Sequence, residues 1–213
     1  MSLPTLLRRP GTRLLARLGC IIALLGLACG CFVPNRYTAI LSLSNQAYSF
    51  TYIGEMTMMA TYSPQYADYE PWALARKIVE EFSRVIKERS QVKLETRLVN
   101  PHVFQTSFLY VSNYDKPEAC GLFNISINGN VLTVTSRAIS QQEHEMIRLN
   151  NVPSEGKLCI KAFGTVLESN AHKAATIFDR CNTWNLKDLN EPVKLVVRYS
   201  KPIPLDGKLP RDF

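Results

Sequence analysis

YTAILSLSNQAYSFTYIGEMTMMA, Tyr37 to Ala60, alternates on both sides of a short polar break. Tyr37, Ala39, Leu41 and Leu43 fall on one side of the chain, with Thr38, Ile40 and Ser42 on the other. Ser44-Asn45-Gln46 makes the turn, and Tyr48, Phe50 and Tyr52 resume the apolar side. A period of two is the signature of a strand, so the stretch predicts a β-hairpin. Gly54 inside the second strand signals a bulge or a close approach by another backbone. Met56, Met58 and Met59 read as core filling, with an adaptable binding surface as the second reading.

Beyond Ala60 the period changes. Tyr62 to Tyr69 is a polar, tyrosine-rich connection, and Glu70-Pro71 opens a helix, with proline in the first turn where its missing N–H costs little. Ala75, Ile78, Val79, Phe82, Val85 and Ile86 follow helical spacing, while Lys77, Glu80, Glu81, Arg84, Lys87 and Glu88 fill the opposite face. This predicts an amphipathic helix over 71–89. Its polar face is mixed rather than basic, which favours packing on a sheet over lying on a membrane.

Further strands are predicted at Val92–Val99, Val103–Ser112, Leu122–Ile127, Val131–Ile139, Lys157–Leu167, Ala174–Arg180, Thr183–Leu186 and Val193–Tyr199. Asn128-Gly129-Asn130 supplies the positive φ that a tight hairpin turn needs. Asn113–Gly121 reads as a loop and Ser140–Leu149 as a short helix. The prolines of 201–213 predict a loose tail. The expected fold is α+β: a largely antiparallel curved sheet of seven to nine strands, with one long amphipathic helix packed on a face. The expected division is a signal over 1–30, a leader over 31–36, one domain over 37–200 and the tail.

Upstream of the hairpin, Arg8, Arg9, Arg13 and Arg17 precede an apolar run, Leu18 to Ala28, and then small residues. That is the layout of an export signal, and the run is short for a span of roughly 20 residues. LACGC, Leu27 to Cys31, resembles a lipobox, with Cys31 as the lipidated residue and Cys29 as the alternative. An uncleaved anchor with its arginines in the cytoplasm is the competing reading. Arg8-Arg9 lacks the rest of a twin-arginine signal. Cleavage would leave 21 of the 25 basic residues against 18 acidic ones. These are scattered, so no nucleic-acid partner is expected.

Of the six cysteines, Cys20 lies in the signal. In an oxidising compartment Cys159 and Cys181 form the preferred disulfide, since neighbouring predicted strands carry them; Cys120 with either stays open. No CxxC occurs, and His144-Glu145-Met146-Ile147-Arg148 ends in arginine where a zinc-protease helix needs histidine. His102 and His172 lie in turns. Glu80-Glu81 and Glu143/Glu145 are too close in sequence to face each other on a helix. No catalytic set, metal site or cofactor is expected.

Gly164-Thr165-Val166-Leu167-Glu168-Ser169-Asn170-Ala171, followed by Thr183-Trp184-Asn185-Leu186-Lys187-Asp188-Leu189, resembles a segment of LppM-like bacterial lipoproteins. The hairpin from Tyr37 to Glu55 is similar to that family's first strands. A glycine-rich turn after Asn170 is lacking, and the cysteines are additional. The resemblance implies an exported, membrane-anchored α+β domain that holds lipid. The expected function is therefore a non-enzymatic lipoprotein of the bacterial cell envelope, facing the periplasm or exterior and attached to the membrane by its N-terminal lipid. An apolar ligand would sit between helix and sheet, with Ile78, Phe82 and Trp184 as pocket candidates. The alternative is an interaction module of an envelope assembly, with Tyr62, Tyr66 and Tyr69 facing a protein partner. An enzyme ranks last.

Overall fold

The computed structural model describes residues 32–88, 93–114, 118–119 and 122–205. The signal over 1–30, Cys29, Cys31, Cys120 and residues 206–213 lie outside them. A six-stranded sheet has the order β10-β8-β1-β2-β4-β3. Its strands are β1 (Phe32–Leu43), β2 (Ala47–Met58), β3 (Lys93–Asn100), β4 (Val103–Asn113), β8 (Gly156–Ala162) and β10 (Cys181–Leu186). A five-stranded sheet has the order β5-β6-β7-β11-β9, built from β5 (Glu118–Ala119), β6 (Phe123–Asn128), β7 (Val131–Ser136), β9 (Thr165–Ser169) and β11 (Lys194–Arg198). All named pairs are antiparallel except β1 with β8, which is parallel.

The opening hairpin closes on Ser44, whose hydroxyl accepts from the Ala47 N–H at 3.0 Å and donates to the Ala47 carbonyl at 2.8 Å. Helix α1 (Pro71–Lys87) begins where the Glu70 carboxylate accepts from the Trp72 and Ala73 N–H groups, satisfying donors that have no partner inside the helix. A second helix, α2 (Gln141–Leu149), starts in a capping box between Ser140 and Glu143.

Leu41, Phe50, Phe108 and Ile160 of the first sheet join Phe123, Leu132 and Leu195 of the second, together with Val79, Phe82 and Ile86 of α1, in one buried cluster. Phe50 meets Phe123 across the sheets, 6.2 Å between ring centres. Phe82 of α1 meets Phe104 at 5.1 Å and Phe108 at 6.0 Å. The second sheet and the helix thus cover the same apolar face of the first sheet.

The single expected sheet is corrected to two, while the second helix, α2, stands where the sequence predicts a short one. Alternation reports that a strand has an apolar face but not which sheet it joins. The predicted strand Lys157–Leu167 makes this concrete. It breaks at Phe163-Gly164, so that β8 serves one sheet and β9 the other. A Cβ on Gly164 would lie 2.6 Å from the Arg198 carbonyl oxygen. Ala174–Arg180, expected as a strand, is instead a turn beside an isolated bridge between Lys173 and Thr183. The tail is not loose from its start: Ile203 is buried, and its N–H donates to the Gly129 carbonyl at 3.1 Å.

The expected leader is also revised, because β1 starts at Phe32. Phe32 and Pro34 face the same side as Ala39 and Leu41 only because the register slips between Asn35 and Thr38. Arg36 takes the left-handed φ of 44° there. Gly54 lies opposite this bulge, and a Cβ on it would fall 2.6 Å from Tyr37 Cβ and 2.7 Å from Tyr37 Cα. Gly54→Ala is therefore expected to destabilise the fold by about 1–3 kcal/mol, while Gly129→Ala, with nothing within 4 Å of its Cβ, costs about 1 kcal/mol for its positive φ. Equal melting temperatures for Gly54→Ala and the unmodified protein would contradict this packing. Burial also raises the Tyr37, Tyr52, Tyr114 and Tyr199 phenols above their ordinary range. Below about pH 10 both folded and unfolded chains keep these protons; above it only the unfolded chain releases them. Stability is expected to hold up to about pH 10 and to fall beyond it, read by denaturant titrations at successive pH values.

Candidate functional site

The end of the first sheet where β1 begins is where the anchor of an exported chain would attach. Phe32 is the first strand residue. The start of β1 is held on both faces. Phe32 packs edge-on against Phe82 at 5.1 Å and Phe104 at 5.7 Å. Val33, on the opposite face, joins Met59 and Val152 in a smaller cluster, against which Met146 and Ile147 of α2 pack. Met58 N–H donates to the His102 carbonyl at 2.8 Å, tying β2 to the turn before β4. Asn35 is buried beside the bulge and donates to Glu55 at 3.1 Å.

The tyrosines after β2 have divided roles. Tyr62 stacks on His102 at 4.5 Å and packs on the Val33 cluster. Burial raises its phenol above the usual range. Tyr66 is half-buried and meets Tyr69 edge-on at 5.7 Å. Tyr69 and Trp72, at the start of α1, are exposed. The three tyrosines do not present one open surface: Tyr62 helps to hold the end of the sheet and Tyr69 faces solvent. Met56, Met58 and Met59 are buried core residues.

The three pocket candidates are spread across the first sheet. Phe82 is buried among Phe32, Phe104 and Phe108, and Ile78 packs on the same core while partly exposed. Trp184 lies on β10, the opposite edge strand, with β8, β1 and β2 between it and β4. Its indole N–H donates to Asn170 Oδ1 at 2.8 Å, and the same oxygen accepts from the Lys194 N–H at 2.8 Å. Trp184 and Asn170 thereby join β10 to β11. Phe82 and Trp184 belong to one buried cluster, against which Ile78 packs, but they stand at different places across the sheet. Helical spacing marked Ile78 and Phe82, and alternation Trp184, as inward-facing, but neither says anything of strand order.

His102 accepts or donates to Thr61 at 2.8 Å, His172 Nδ1 accepts from the Asn185 N–H at 3.0 Å, and His144 is exposed on α2. The structure places the three histidines on separate elements. Cys159 and Cys181 form a disulfide with Cα atoms 5.4 Å apart. Both face outward from the first sheet, on neighbouring strands, and both are nonetheless buried.

No family model matches the chain, and no curated protein matches it. Among solved structures, the chain is similar to the folded domain of the LppM protein of Mycobacterium tuberculosis, determined by NMR, with a TM-score of 0.41. The two share 15% identity over 78% of this chain and 92% of that one. A likeness of that strength assigns neither family nor function.

The disulfide closes a separation of 22 residues, a length at which loss of the cross-link costs about 2–4 kcal/mol through the unfolded chain. Peptide mapping without reductant is expected to recover Cys159 joined to Cys181, and Cys181→Ser to melt earlier. A peptide containing Cys120 in their place would contradict the pairing.

Proposed function

We propose that this chain is a lipoprotein of the bacterial cell envelope, anchored through Cys31, whose domain works by binding rather than by catalysis. One observation carries the reading: β1 begins at Phe32, the residue after the cysteine before which the export signal read over 1–30 would be cut. Where a flexible linker would separate anchor from domain, this chain has none. The lipid would emerge directly from the edge of the Phe32–Phe82–Phe104 cluster, which fixes the end of the first sheet close to the bilayer. Tyr69 and Trp72, exposed at the start of α1, are the residue types that settle at the headgroup level.

The layer between α1 and the sheet supports contact at the surface over an internal ligand. Phe32, Phe82, Phe104 and Phe108 fill it with edge-on rings. A lipid entering there would have to lift Phe82 and its helix off three aromatic side chains, Phe32, Phe104 and Phe108. Leu74, Ala75, Val79 and Ile86 of the helix are buried as well, so lifting it exposes several side chains worth about 1.5–3 kcal/mol each.

Intact mass of the protein made in a bacterial host with lipoprotein processing is expected to show a chain starting at Cys31 and bearing acyl mass. Cys31→Ala is expected to lose that mass. Loss in Cys29→Ala alone would move the start two residues upstream, and an unprocessed chain in every case would overturn the anchor.

A further inference from the structure

Two of the most exposed large apolar side chains stand together at the far end of the molecule. Ile177 is 91% and Phe178 99% exposed. They form the apex of a hairpin that runs out from β10. Thr176 and Asp179 close the turn: the Thr176 N–H donates to the Asp179 carbonyl at 2.7 Å, and the Asp179 N–H to Thr176 Oγ1 at 3.0 Å. Below them Lys173 pairs with Thr183 through two backbone bonds of 3.1 and 2.8 Å. The Ala175 N–H donates to Asn182 Oδ1 at 3.2 Å, and Lys173 Nζ to Asp179 at 2.8 Å. The Cys159–Cys181 disulfide fastens the second arm to β8. Neither apex residue takes a left-handed φ, so the turn imposes no backbone strain on them.

Turn apices ordinarily carry glycine, asparagine, aspartate or serine. An Ile-Phe pair on a braced turn contradicts that local rule without any gain in packing, and such conflicts mark functional positions. The apex also has a charged setting. Lys173 and Arg180 flank it, and Lys157 and Lys161 lie on the same outward face of β8 as Cys159. Against these four cations stands Asp179, already paired with Lys173. Arg180 lies 5.9 Å from the ring centre of Phe163, itself 60% exposed.

Apolar side chains on a rigid tip, ringed by lysine and arginine, match the two attractions of an anionic lipid surface: acyl burial and phosphate charge. We infer that the Thr176–Asp179 apex is a membrane-docking element that inserts Ile177 and Phe178 into an anionic bilayer, with Lys157, Lys161, Lys173 and Arg180 at its phosphates. The site is separate from the N-terminal anchor. Cys181 is paired with Lys161, near the Leu43 end of β1, whereas the anchor lies at the Phe32 end. Ten steps of β1, from Phe32 to Ser42, put the anchor end and Cys181 about 33 Å apart along the strand. The domain would then meet lipid at both ends of its long sheet, and the apex contact does not depend on Cys31 being lipidated.

The test uses the full chain carrying Phe178→Trp, incorporated in phosphatidylglycerol vesicles whose acyl chains are brominated near the headgroup. The added tryptophan, read against the chain without the substitution, is expected to emit to the blue and to be quenched. Both effects should shrink when Ile177→Ser is added and when phosphatidylcholine replaces the anionic lipid. Emission from water and no quenching, in a chain whose melting curve matches the unmodified protein, would overturn the inference and leave the apex to a protein partner. Acyl mass on Cys31, measured on the same sample, separates that outcome from failure of the anchor.

Discussion

Tyr37 has room in the first sheet only because both neighbouring strands carry glycine beside it. Gly54 of β2 lies against its Cβ, and a Cβ on Gly156 of β8 would fall within its ring. The tyrosine stacks on Tyr52 at 5.5 Å and is buried. That one fit sets the register of β1 against β2 on one side and against β8 on the other. The β1–β8 pair is the parallel junction that brings the C-terminal third of the chain back to the opening hairpin. From it follow the place of β10, the disulfide, and the hairpin that carries Ile177 and Phe178. The bulge beside Tyr37 also turns Phe32 toward α1, so the same constraint decides which face the start of the domain presents to the helix.

The consequence for function is mechanical. With its first two strand residues packed against different helices, the domain would transmit the position of an anchor at Cys31, as proposed, to the whole sheet. Phe32 is held by α1 and Val33 by the cluster that α2 completes. Motion of the domain relative to a membrane would then be that of a rigid body about a tether one residue long. The far end is stiff as well, since the apex hairpin rests on a covalent bond to β8. Stiffness at both ends suits a module that holds two surfaces in a fixed relation. A carrier that opens to admit a ligand would need slack that these contacts do not provide.

The elements with strong local signals were legible from the sequence. The opening hairpin, α1 with its Glu70-Pro71 start and the Asn128–Asn130 turn each combine a clear period with turn or cap chemistry. Gly54 was legible as either a bulge or a close approach, and it is both. What escaped depends on long-range pairing. Nothing local in Lys157–Leu167 says that its two halves belong to different sheets, apart from Gly164. Nothing in the helical spacing of Phe82 or the alternation of Trp184 says that three strands separate β10 from β4, on which Phe82 packs. The start of β1 was missed because the slip between Asn35 and Thr38 breaks the alternation, so that Phe32 and Pro34 look out of phase with Ala39 and Leu41. The apex was missed for a related reason: Ile177 and Phe178 are apolar and read as strand, whereas they stand in water.

Amide hydrogen exchange over residues 32–36 of the full chain tests most directly whether the domain begins beside its anchor. Packed as the start of β1, the amides of this segment that face β2 are expected to exchange far more slowly than an open chain, and faster than those of Ala39 to Leu43, which lie between β2 and β8. Exchange at the rate of an open chain over 32–36, with Ala39 to Leu43 still protected, would show a free leader before Tyr37 and contradict the rigid attachment.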